Sequence, residues 1–164
     1  MLQEILIPQF RNSRGSLQRI SLTYQNFGPP IGKAPLVLVT HALTGNSQVT
    51  GENGWWKELV GPDKTIDTNC FSVLSFNVPG NGYDGKEQNL IHNYKDFSMK
   101  DIAALLLLGL EVLKVDRIFA GIGGSIGGAL IWELGVQKPD LFEHLIPIAT
   151  DHKATAWVLS LIHI

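Results

Sequence analysis

Apolar and polar positions alternate imperfectly over Glu4 to Phe10 and again over Leu17 to Tyr24, and the turn-forming stretch Asn12 to Gly15 joins the two runs. That pattern predicts an antiparallel hairpin at a sheet edge. Gly28, Pro29, Pro30 and Gly32 then break the chain. Pro35 to Thr40 (PLVLVT) is continuously apolar, as a central strand covered on both faces is. Trp55 to Val60 reads as a short helix. Phe71 to Phe76 (FSVLSF) reads as a second buried strand, followed by a glycine-rich loop from Asn77 to Gly85. Ser98 to Lys114 predicts a helix: Ser98 with Asp101 three residues on approximates a capping box, and the nearly all-round apolar surface implies burial. Ile118, Phe119 and Ala120 form one more strand, and Ile126, Leu130, Ile131 and Leu134 follow at helical spacing up to Lys138-Pro139. His144 to Ala149 (HLIPIA) reads as a last buried strand, closing on Thr150 and Asp151. Strands alternating with helices after an edge hairpin predict an α/β fold with a doubly wound, mostly parallel sheet.

The chemistry concentrates between strand and helix at Val115 to Gly128, VDRIFAGIGGSIGG. Gly123-x-Ser125-x-Gly127 matches a nucleophile elbow, in which a serine sits at a sharp strand-to-helix corner with its Oγ above the sheet. A dinucleotide fingerprint beginning at Gly121 would need glycine at 126, where the chain has isoleucine, and a phosphate loop would need a nearby lysine. The alternative that stays open is a glycine-rich packing turn whose serine only caps the helix.

Composition narrows the class further. The 164 residues fit one domain, and 45% hydrophobic with 17% charged residues at a net charge of -2 describes a soluble globular chain. No basic cluster exists to neutralise phosphates, so neither nucleic acid nor an anionic membrane is an expected partner. Cys70 is the single cysteine, so no internal disulfide and no metal cluster are expected. The N-terminus MLQEILIPQFR lacks the features of a secretory signal, and the longest apolar run, Ile102 to Leu110, is too short for a bilayer. The expected compartment is the cytoplasm.

The order of hairpin, strand, loop, strand, helix and elbow is that of an α/β-hydrolase. In that fold two backbone N–H groups receive the oxyanion of an attacked acyl group. Here they are expected from Ile126, after the serine, and Leu43, in the loop after PLVLVT. His41 reads as a brace for that loop rather than a base. THALTGN (Thr40 to Asn46), GWW (Gly54 to Trp56), Gly61 to Asp67, FNVPGNGYDG (Phe76 to Gly85), GGSIGG (Gly123 to Gly128) and PIAT (Pro147 to Thr150) occur in this order. In that ordered set the chain resembles the homoserine O-acetyltransferases, from its start to about Trp157. The resemblance implies transfer of an acetyl or succinyl group from acyl-CoA, a co-substrate, to the hydroxyl of L-homoserine in methionine biosynthesis. It implies no bound cofactor, Ser125 as the nucleophile that carries the acyl group, and Leu43 and Ile126 as oxyanion donors. It also places Asn77 and Gly80 to Gly82 beside the substrate pocket and allows a homodimer of the full-length protein. The chain has Gly80-Asn81-Gly82-Tyr83 where the family commonly has a GGC-type stretch, a difference that bears on acyl and acceptor preference.

A triad also needs an acid and a base, which in this fold follow late strands. After Ser125 the chain offers only His144, His152 and His163, with Asp151 as a candidate acid at a strand end. The tail Leu159 to Ile164 can be back-translated into a sequence that resembles a transposon end used in library preparation. The expectation is therefore that residues 1–158 are the N-terminal part of one α/β-hydrolase domain lacking its last strands, and that 159–164 are a non-native tail. Such a fragment is expected to be inactive. The alternative for the full-length protein is a serine hydrolase or esterase of the same fold.

Overall fold

Two long strands open the chain, β1 (Gln3–Arg11) and β2 (Leu17–Phe27), paired antiparallel as expected. Ile5, Ile7 and Phe10 are buried, and the register shifts between Ile7 and Phe10. A bulge there absorbs the step of three between buried side chains, next to Pro8, which has no N–H for the ladder. The turn between the strands is set by Asn12, whose side-chain oxygen accepts from the amides of Arg14 and Ser16 at 3.1 and 2.9 Å. The computed structural model describes residues 1–151.

β3 (Leu36–Thr40) lies in the middle of the sheet, with all five residues buried. The chain then forms a small parallel pair, β4 (Val60–Gly61) and β5 (Ile66–Asp67), before β6 (Ser72–Phe76), also fully buried. Helix α1 (Met99–Val112), strand β7 (Ile118–Gly124), helix α2 (Ile126–Gln137) and strand β8 (Phe142–Ile148) complete the order. The six long strands form one sheet in the order β1-β2-β6-β3-β7-β8. β1, β2 and β6 pair antiparallel, whereas β6, β3, β7 and β8 are mutually parallel. Strand order therefore reverses at β3, the topological position where open α/β sheets bind ligands beyond the carboxyl ends of their strands.

Alternating side chains of β3 serve two cores, as a period of two requires. Leu36 and Leu38 join Leu74, Phe76, Leu105, Leu106, Leu110 and Ile131 under the two helices. Val37 and Val39 point the other way, with Val73, Ala120 and Ile122, under Val49, Val60, Trp55 and Trp56. One face is thus covered by helices and the other by the segment between β3 and β6.

The start of α1 carries the anticipated cap in full. Ser98 accepts from the Asp101 amide while the Asp101 carboxylate accepts from the Ser98 amide and hydroxyl at 2.8 and 2.6 Å. The same carboxylate also accepts from the amide and hydroxyl of Ser13, at 2.7 and 2.8 Å. Asp101 thereby fastens the hairpin turn to the helix. Burial alone would raise its pKa, but these four hydrogen bonds outweigh that and hold it below the ordinary carboxylate value.

Three expectations are corrected. Trp55 to Val60 is a series of turns running into β4 rather than a helix. The amides of Trp55 and Trp56 donate to Gln48 O and Val49 O, and Val60 is drawn into the small sheet by Ile66. Helix α1 is not buried all round: it rests on the sheet and on α2, and its remaining stripe leaves Leu108 and Val112 exposed. β8 is not a buried strand either. It closes the sheet order with no further partner among the described residues, and Leu145, Ile146 and Ile148 are 36%, 43% and 41% exposed.

Candidate active site

β7 ends at Gly124 and α2 begins at Ile126, so Ser125 alone makes the corner. Its backbone is left-handed, with φ 56° and ψ -121°. A non-glycine residue held there costs about 1–3 kcal/mol and persists only when its surroundings fix it. They do so here: the Ser125 amide donates to Ile148 O at 2.9 Å, and its carbonyl accepts from Ala129 N at 3.0 Å. The side chain is exposed and makes no cap hydrogen bond. A packing turn whose serine serves only to cap the helix is therefore excluded.

The flanking glycines are required by close approach. A Cβ on Gly123 would lie 2.2 Å from Thr40 Oγ1, and one on Gly127 would lie 2.3 Å from Thr40 O and 2.8 Å from His41 O. The elbow is packed backbone to backbone against the end of β3. Thr40, 2% exposed, stitches the two together by donating from Oγ1 to Gly127 O at 2.8 Å.

The loop that leaves β3 is rigidly braced, as anticipated for His41. Its Nδ1 lies 2.7 Å from Ala42 O and its Nε2 lies 2.9 Å from Val78 N. An amide can only donate, so Nε2 is the acceptor and Nδ1 carries the proton. Burial pushes the pKa of this ring below its ordinary value, against the opposing hydrogen bond to Ala42. The brace ties the loops after β3 and β6 to each other. Gly45 N closes a turn on Ala42 O, and Trp55 Nε1 holds Asn46 O at 2.8 Å. Between these anchors the N–H of Leu43 has no acceptor among the described residues, and neither does that of Ile126 at the helix start.

Asn77 had been expected beside the pocket, but its side chain is structural. It is 1% exposed, accepts from Ser47 N at 2.8 Å and from Asn81 Nδ2 at 3.2 Å, and donates to Thr23 Oγ1 and Ser47 Oγ at 2.8 and 3.0 Å. Ser47 Oγ in turn donates to Gln25 at 2.7 Å. With its hydrogen-bonding capacity spent, Asn77 ties both loops to β2 and contributes nothing to a ligand. Gly80, by contrast, lines a cavity of about 330 Å³ together with Leu43, Ile91, Phe97, Ile102 and Ile126. Both expected amide donors thus belong to residues of one cavity wall. Larger grooves of about 710 and 550 Å³ are lined by residues such as Leu107, Glu111 and Leu141, or Lys33, Lys114 and Glu143; Ser125 lines none of the three, and it is its neighbour Ile126 that reaches the wall of the 330 Å³ cavity.

No base is in place among the described residues. His41 has both ring nitrogens engaged, and His92 borders a separate groove with Gln18 and Ser21. His144 pairs with Ala120 on β7, about 16 Å along the strand from Ser125 at ~3.3 Å per residue, and packs edge-on against Phe119. Asp151 follows the end of β8, whose Ile148 carbonyl holds the Ser125 amide. His152, His163 and the tail 159–164 lie outside the described residues. Among the described residues no group of three His, Cys, Asp or Glu could hold a metal ion, and no helix is long and apolar enough to cross a membrane. Sequence reasoning missed Thr40 and the outer cavity wall. The first could have been suspected from a threonine at the end of a buried strand; the second had no local signal.

A family model described as "alpha/beta hydrolase fold" matches residues 35–163. The chain belongs to the α/β-hydrolase fold family. Within it, the chain is 30% identical to a homoserine O-acetyltransferase of Moorella thermoacetica, over 93% of this chain and 45% of that protein. It is 32% identical to a homoserine O-acetyltransferase of Geotalea uraniireducens, over 87% and 43%. The chain spans about half the length of the curated relatives it matches. Among solved α/β-hydrolases, a homoserine O-acetyltransferase from Staphylococcus aureus superposes with a TM-score of 0.84 at 26% identity, over 100% of this chain and 51% of that one. An acetylester hydrolase from Corynebacterium glutamicum has a TM-score of 0.79 at 21% identity, over 96% and 46%, a likeness of fold alone.

Proposed function

We propose that Ser125 is the nucleophile of an acyltransferase that carries an acyl group from acyl-CoA to the hydroxyl of L-homoserine. Ser125 Oγ bonds to the thioester carbonyl carbon, and the carbonyl oxygen, now negative, accepts from the N–H groups of Leu43 and Ile126. The C–S bond then breaks, and the thiolate leaves with the proton lost by the serine. Homoserine's hydroxyl attacks the acyl-serine in the second half, and its proton returns to Ser125 Oγ as the product ester departs. A base must ferry both protons, and none of the described histidines is placed for it. The observation that carries this reading is an exposed, left-handed Ser125 whose side chain makes no cap hydrogen bond, at a corner where the amides of Leu43 and Ile126, residues of one cavity wall, have no acceptor among the described residues. The similarity to homoserine O-acetyltransferases supplies the acceptor, and with it a cytoplasmic place in methionine biosynthesis.

The experiment follows thiol release from acetyl-CoA by the full-length gene product, with and without homoserine. Release that depends on homoserine and vanishes in Ser125→Ala supports the proposal. Release indifferent to homoserine supports the second reading, a serine esterase, which is favoured by the exposed hydroxyl and the fold shared with an acetylester hydrolase. For the 164-residue chain itself, strong labelling of Ser125 by a fluorophosphonate would show that the serine is activated without any residue beyond this sequence.

A further inference from the structure

The cavity beside the elbow has no assigned occupant. Its wall contains Leu43 and Ile126, whose amides would hold the oxyanion, so a substituent on the same carbonyl carbon has this space as its neighbour. The rest of the wall comes from Gly80, Ile91, Phe97 and Ile102, with Tyr94 at the mouth, 65% exposed. Among the described residues no charged side chain lines it. The one amide side chain in the wall among the described residues, Asn81, is already committed: its Nδ2 donates to Asn77 at 3.2 Å and its Oδ1 accepts from Tyr83 N at 3.1 Å. A carboxylate placed against this wall would give up part of its water with no cation to pair with, the exposed Tyr94 hydroxyl being the one side-chain donor left to it among the described residues, and so at a net cost. An aliphatic chain would instead exchange water for leucine, isoleucine and phenylalanine carbon. Volume adds a second constraint. Water takes about 30 Å³ in the liquid, so about 330 Å³ has room for on the order of ten small groups, far more than an acetyl methyl needs.

We infer that this cavity is the acyl subsite, and that it accepts uncharged aliphatic acyl groups longer than acetyl while rejecting acyl groups that end in a carboxylate. The inference rests on Ser125 as nucleophile. In the step it governs, Ser125 Oγ gains a bond to the acyl carbon, the C–S bond of the thioester breaks, and the serine proton leaves with the thiol.

The test measures the burst of thiol release from acetyl-, butyryl-, hexanoyl- and succinyl-CoA by the full-length gene product. Butyryl-CoA should acylate the enzyme at least as fast as acetyl-CoA, and succinyl-CoA at least tenfold more slowly than butyryl-CoA, which has the same number of chain carbons. Ile102→Trp, which fills the cavity, should lower the hexanoyl-to-acetyl ratio at least tenfold. Tyr94→Lys, at an exposed position where folding is not at stake, should raise the succinyl-to-butyryl ratio at least tenfold. Equal rates for succinyl- and butyryl-CoA, or ratios that ignore both substitutions, overturn the subsite while leaving the nucleophile intact. Absence of a burst with every thioester overturns the acyl-serine itself, and the subsite with it.

Discussion

Replacing Gly127 by alanine places a methyl carbon 2.3 Å from Thr40 O and 2.8 Å from His41 O. An unstrained carbon-to-oxygen approach is about 3.3 Å or more. Relief therefore requires the first turn of α2 and the end of β3 to separate by about 1 Å, since both contacts are to backbone. His41 lies two residues before Leu43, so that separation moves one of the two proposed amide donors away from the elbow that carries the other. A displacement of about 1 Å at reacting groups costs on the order of a hundredfold in rate. Overpacking of this kind also destabilises by about 1–3 kcal/mol. Gly135 in the same helix provides the control. Its added Cβ would meet Leu145 Cδ1 at 2.5 Å, but that atom is the tip of a side chain 36% exposed and able to swing aside. Alanine is also favoured over glycine inside a helix by about 1 kcal/mol. The assay is kcat/KM for thioester cleavage by the full-length gene product, read beside thermal unfolding. Gly127→Ala should lose about two orders of magnitude and several degrees of Tm, whereas Gly135→Ala should change neither appreciably. Full activity in Gly127→Ala would refute the backbone contact between elbow and loop.

Three further outcomes follow from the same geometry. Thr40→Val removes the donor to the buried Gly127 carbonyl and should cost about 1–3 kcal/mol with a loss of acylation rate; Thr40→Ser, which keeps the hydroxyl, should recover most of both in parallel denaturation and burst measurements. Asp101→Ala removes the helix cap and the tie to Ser13, about 2–4 kcal/mol, seen as a fall in Tm of about 5–15 °C in a melting experiment. Burial keeps the folded-state pKa of His41 below its ordinary value of about 6.5, so the unfolded chain takes up the proton first. The stability that the neutral ring contributes is thus fully present above about pH 6.5 and is lost as pH falls below it, by up to about 1.4 kcal/mol per pH unit. Melting curves across that window should show the loss in the native chain and a shallower slope in His41→Gln.

Local patterns made the elbow, the hairpin and the cap of α1 legible in the sequence, because glycine spacing, turn residues and a serine three positions before an aspartate act within a few residues of one another. Asn77 was misjudged for the opposite reason. It sits in a glycine-rich loop that resembles a binding loop, yet its partners, Thr23 and Ser47, come from β2 and from the loop after β3. Trp55 to Val60 has the composition of a helix, but backbone acceptors at Gln48 and Val49 capture its first amides. The exposure of β8 was equally hidden: an apolar strand at the end of a sheet order reads the same as one in its middle.

The tie between Asp101 and Ser13 spans 88 positions of chain. Closing a flexible loop of that size costs about 4 kcal/mol of entropy. A ribosome that has released β1 and β2 must still add most of the sheet and the start of α1 before the hairpin tip can be clasped. The opening hairpin is therefore made first and secured late, and a chaperone or protease encountering the nascent protein meets its tip while Ser13 is still unattached.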